Sequence, residues 1–98
     1  MNILNWLITW YQSNCNGDWE HSFGIEIGTL DNPGWTIKID LDGTNLEDKK
    51  YLQTEDKSDT DWYRVESDGN VFLGFGDPSK LEFLLNEFRK FSNESVND

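Results

Sequence analysis

The sequence has one cysteine, one histidine and eight basic residues in 98 positions, and each shortage removes a class of function. A lone cysteine excludes an intramolecular disulfide, and one cysteine with one histidine cannot by themselves build a structural zinc site. Eight bases against nineteen acids leave a formal charge of -11, so the average surface repels a phosphate backbone and no nucleic-acid partner is expected. No apolar run approaches the roughly 20 residues that span a bilayer, so no membrane partner is expected either. The start, MNILNWLITWYQSNCNGDWE, has no basic region ahead of its apolar stretch and interrupts that stretch with polar residues, unlike a secretory leader. The expected compartment is a reducing cytoplasm.

What the chain does have is aromatic mass, 14% of its residues, enough for a few large side chains to fill one small core. A single domain over residues 1–98 is expected, with a polar, frayed tail at 92–98. Ile3, Leu7, Trp10 and Tyr11 have the spacing of one helical face, and Leu4, Trp6 and Ile8 widen the stripe most of the way round. Such a helix wants cover on two sides, from the sheet plus a partner chain or from loops packed over Trp6. Asn16-Gly17 then supplies a helix stop.

From His21 the period changes to two. His21, Phe23, Ile25, Ile27 and Thr29 alternate with Ser22, Gly24, Glu26 and Gly28, which predicts a strand with one buried face. Asn32-Pro33-Gly34 reads as a turn with glycine at its left-handed second position, and Trp35, Ile37, Ile39 and Leu41 continue the alternation beyond it. In LEDKKYLQTEDKSDTD the signal is weaker: Tyr51 to Thr54 is predicted as a short edge strand and Asp56 to Asp61 as an exposed loop. Ser67-Asp68-Gly69-Asn70 is a two-residue hairpin signal between strands around Trp62 to Glu66 and Val71 to Phe75. Asp77-Pro78 is read as the start of the last helix, whose apolar face is Leu81, Leu84, Leu85, Phe88 and Phe91, with Phe83 off it. The expected fold is α+β, a four- or five-stranded antiparallel meander with an N-terminal and a C-terminal helix packed on one face.

Candidate chemistry is sparse. Cys15 and His21 form a nucleophile and base only if the turn between them returns the thiol to the imidazole, and the spacing does not ensure it. DLDGTNLED has acids at calcium-loop intervals, but Gly43 falls fourth and Tyr51 twelfth where an EF-hand needs glycine sixth and glutamate twelfth, so it reads as a solvated turn. Gly74 and Gly76 lack the rest of a phosphate-loop pattern and read as strand-end flexibility. Trp19, Trp35 and Trp62-Tyr63 are without interleaved bases, which favours core packing for most of them and an interface anchor for one or two. No catalytic residue, cofactor or metal is expected.

The segment WYQSNCNGDWEHSFGIEIGTLDNPGW, the later Asp61-Trp62 pair and the GDPSKL helix start together resemble the immunity protein 53 family of bacterial polymorphic toxin systems. The resemblance runs to about Phe91 and is most specific in Trp19-Glu20-His21 taken with Thr29 to Trp35. It implies a small intracellular protein that protects its producer by binding and neutralising a cognate toxin. It implies no catalytic residues and carries over no toxin-contacting positions.

Residues 40 to 68 hold ten acids against four bases beside Trp62 and Tyr63. The expected toxin-binding surface is therefore Asp40, Asp42, Glu55, Asp56, Asp59 and Asp61 as the electrostatic part, with Trp62 as anchor, facing a toxin with a basic groove such as a nuclease. Two other readings stand beside it: a small thiol enzyme of sulfur-transfer type using Cys15, and an acidic adaptor that forms a homodimer through the first helix.

Overall fold

Apolar alternation in IKIDL and an apolar run in VFLGF set two strands at the centre, and the rest of the chain flanks or covers them. The computed structural model describes residues 2–94. In it α1 (Ile3–Asn14) and a single-turn α2 (Trp19–Ser22) precede β1 (Ile25–Leu30) and β2 (Gly34–Asp40). Strands β3 (Lys50–Ser58), β4 (Asp61–Asp68) and β5 (Val71–Gly76) follow, then α3 (Leu81–Glu94). The class is α+β, with one five-stranded antiparallel sheet and a helix at each end of the chain.

The strand order, β1-β2-β5-β4-β3, departs from the expected sequential meander. β1 and β2 form one hairpin, β3, β4 and β5 form a second unit, and the two join where β2 pairs with β5. Residues 41–49 make the crossing. They pass the β4–β5 turn, where the Leu41 N–H donates to the Asn70 carbonyl and the Asp48 N–H to the Gly69 carbonyl, both at 2.8 Å. Leu41 and Leu46 are fully buried, which anchors a stretch that the sequence presents as a solvated turn.

Several local expectations change for physical reasons. The strand starts at Ile25 instead of His21, because Trp19–Ser22 coils into a helical turn. Gly34 is an extended strand residue and not the left-handed turn position, since Leu30 pairs with Gly34 around the loop Asp31-Asn32-Pro33. Glycine is needed there for space: a Cβ would stand 2.5 Å from the Gly76 carbonyl oxygen. Gly74 is likewise fixed by packing, because a Cβ would meet the Ile37 side chain at 2.7 Å. β3 runs through the expected loop to Ser58, with a bulge between Asp56 and Ser58 and only Asp59-Thr60 left as the turn. The β4–β5 hairpin forms where expected but turns one residue later: β4 continues through Asp68, and Gly69, at φ 100°, takes the first central position of a two-residue Gly69-Asn70 turn. α3 starts at Leu81, three residues later than the Asp77-Pro78 reading, and it continues through Ser92 to Glu94 where fraying was expected. The remainder of that tail, 95–98, lies outside the described residues.

α3 covers the sheet. Leu84, Leu85, Phe88 and Phe91 are buried with Ile37, Ile39, Val65 and Phe72, and each fully buried phenylalanine contributes on the order of 2 kcal/mol. α1 packs beside α3, where the rings of Trp10 and Trp6 meet Phe88 edge-on at centroid distances of 4.9 and 5.8 Å. Trp6 takes cover from α3, including the Arg89 guanidinium 5.8 Å from its ring. Leu4 and Ile8, 60% and 53% exposed, keep part of the wide apolar stripe in solvent.

Candidate functional site

The loop holding the only histidine is built for packing. Asn16 Oδ1 accepts from the Asp18 and Trp19 N–H groups, and the Glu20 carboxylate reaches back to the Asn16 and Gly17 N–H groups at 2.9 and 2.8 Å. Backbone N–H groups, that of Glu20 itself first, hold the Glu20 carboxyl below its ordinary range. This reciprocal capping turns Trp19 inward. Its ring is buried between Trp10 and Tyr11 of α1 and Phe23, and its indole N–H donates to the Asp42 carbonyl at 2.7 Å. Cys15 is half-buried and its thiol donates to the Tyr11 carbonyl at 3.3 Å, whereas His21 is exposed. Among the described residues no hydrogen bond joins the two.

The seven candidate interface residues do not form one patch. Asp40 ends β2 and accepts from the Gly24 N–H at 3.0 Å, and Asp42 follows in the turn that receives Trp19. Glu55, Asp56, Asp59, Asp61 and Trp62 lie around the β3–β4 turn, at the end of the sheet where β2 begins. About five residues of strand, roughly 17 Å, separate the two ends. Glu55, Asp56 and Asp59 are exposed. Asp61 is committed to an ion pair with Lys80 at 2.8 Å.

That ion pair belongs to a structural anchor at Asp77, where the sequence showed only the start of a helix. Asp77 is fully buried and accepts from the Trp62 N–H, the Ser79 N–H and hydroxyl, and the Lys80 ammonium at 2.6–2.9 Å. Burial alone would raise its carboxyl; the bonds from Lys80, Ser79 and Trp62 outweigh burial and hold it well below the usual carboxylate range. The Lys80 ammonium is correspondingly raised, by Asp61 and then Asp77.

The register places Trp62 on the sheet face opposite the helices, in the same set as Leu30, Leu73 and Phe75. Leu30 and the Trp62 ring converge over Gly34. Two shallow clefts meet at Phe75: one of about 360 Å³ beside Leu30, Trp62, Thr54 and Asp56, another of about 400 Å³ beside Glu26, Gly28, Lys38 and Leu73. The sequence reading missed Leu30, Leu73 and Phe75. Their signal lay in VFLGF itself, since a central strand that is apolar at successive positions is one meant for cover on both faces. A separate groove of about 480 Å³ lies between Leu7, Ile8 and Tyr11 of α1 and the start of β1 at Ile25.

Among the described residues no group of three or more His, Cys, Asp or Glu is arranged to hold a metal ion, and no helix is long and apolar enough to cross a membrane. Comparison with curated proteins and with solved structures found no match. Comparison with protein-family models did: the model described as Immunity protein 53 matches residues 4–93.

Proposed function

The chain belongs to the immunity protein 53 family, and from that membership we propose that it binds a cognate bacterial toxin and neutralises it, protecting the producing cell. The match over nearly the whole chain carries the reading. Neutralisation in this proposal is by binding, in the cytoplasm, with no catalytic step, cofactor, nucleic acid or membrane. The toxin side of the contact is basic, as in a nuclease groove, because a chain of formal charge -11 steers a positive partner at long range and disfavours an acidic one.

Of the residues assigned from the sequence, Glu55, Asp56 and Asp59 with Trp62 are proposed as the contact. Their exposure and common position around one turn support this. Asp61 acts mainly as the partner of Lys80; Asp40, at the other end of the sheet, shares the open face with Trp62, and Asp42 stands beyond it. Co-expression with a candidate cognate toxin tests the reading, scored by growth and by co-purification. Rescue with a stable complex supports it. Rescue without a complex, or no rescue, overturns it.

A further inference from the structure

We infer that the open face of the sheet, floored by Leu30, Trp62, Leu73 and Phe75, is the surface on which the toxin docks, and that it receives a basic patch carrying apolar or aromatic side chains. This rests on the neutralisation reading and names the face it uses. The first support is β5. It sits in the centre of the sheet between β2 and β4, and its residues are apolar on both sides: Phe72 lies in the core under α3, while Val71, Leu73 and Phe75 point away from the helices. A one-sided antiparallel sheet ordinarily alternates apolar with polar, and an apolar outer row at its centre is the pattern of a strand covered twice. Within the described residues, only one side is covered by helices.

Charge identifies the cover. Each base on this face already has an acid beside it: Lys38 lies 3.8 Å from Glu26, Arg64 lies 3.1 Å from Glu66, and Lys50 pairs in register with Asp68. Asp40 and Asp56, on the same face, remain as surplus negative charge at its two ends. An apolar floor with unbalanced carboxylates at its margins complements a partner with apolar anchors and a basic rim. A second copy of this chain fits poorly, because it would bring the same surplus against itself.

The test uses the purified 98-residue chain and the purified toxin domain, with affinity measured by calorimetry across a salt series. Thr54→Arg and Leu52→Arg place a long cation on the open face at exposed positions, Leu52 being 61% exposed; Leu4→Arg and Ile8→Arg make the same charge change on α1. Thermal melts show that each variant folds. The expected result is at least tenfold weaker binding for both sheet variants, less than twofold for both α1 variants, and wild-type affinity that falls as salt rises. A complex indifferent to the sheet variants, or one lost on the α1 variants, would overturn the face while leaving neutralisation intact. Salt-independent affinity would overturn the basic character of the partner. No complex with the wild-type chain would overturn neutralisation and the docking face together. A dimer of this chain in solution that Thr54→Arg dissociates would give the face to a second copy instead.

Discussion

The Lys80 ammonium lies 2.7 Å from the buried carboxylate of Asp77, and through its second contact, 2.8 Å to Asp61, it ties the approach to α3 to the first residue of β4. The same Asp77 carboxylate accepts the Trp62 N–H, so the residue proposed to anchor the toxin is held by the segment that joins β5 to the covering helix.

Removing the Asp77 charge should therefore be costly at neutral pH. Asp77→Asn leaves Lys80 short of its buried partner, and a loss on the order of 3 kcal/mol is expected by urea denaturation. Because the folded carboxyl lies below the ordinary value of 3.8, its contribution is complete above that value and is lost as pH falls through its own lower one. The gap between wild type and Asp77→Asn should narrow below about pH 3.8. A gap that stays constant to the acid end would show that charge is not what Asp77 supplies.

Two glycines on the N-terminal hairpin should respond in opposite ways to the same substitution. Gly34→Ala puts a Cβ 2.5 Å from a backbone oxygen and should destabilise by about 2 kcal/mol, with β2 and β5 forced apart. Gly24→Ala meets nothing within 4 Å and should stay within about 0.5 kcal/mol of wild type. Equal melting temperatures for the two variants would contradict the close approach at Gly34.

Charge reversal around the β3–β4 turn should act on encounter more than on fold. Glu55→Lys, Asp56→Lys and Asp59→Lys together should slow association with the toxin about tenfold at low ionic strength. The difference should shrink as salt screens the charges. Stopped-flow association rates that match wild type at every salt concentration would remove these three acids from the contact.

Cys15 and His21 should be dispensable. With the thiol donating to the Tyr11 carbonyl and the imidazole exposed, Cys15→Ser and His21→Ala should retain full rescue in the co-expression assay. Loss of rescue by either variant, with the complex still forming, would point to catalytic detoxification.

The sequence announced the fold where side chains face two different environments. β2 alternates between core and solvent, and α3 shows one apolar face, so both were legible by period. β3 was half hidden because it is an edge strand, with nearly every residue exposed and no alternation to read. His21 looked like a strand residue because HSFGIEIG alternates; the capping by Asn16 and Glu20 that coils residues 19–22 lies upstream of that pattern. The strand order escaped because the pairing of β2 with β5 depends on a crossing held by Leu41 and Leu46, two buried leucines in a run of turn formers. On the site, Trp62 could be singled out as a residue, but its face could not. That required the register joining it to Phe75 and Leu30.

The strand order also governs what a ribosome releases, and when. β1 and β2 leave the exit tunnel as a hairpin whose β2 edge must wait for β5, separated from it in sequence by the whole of β3 and β4. Even a finished sheet has no lid until Leu84, Leu85, Phe88 and Phe91 emerge, and these follow β5, the last strand in sequence order. Folding is thus deferred until α3 has emerged, and a nascent chain stalled ahead of α3 presents an uncovered sheet to the chaperones around it.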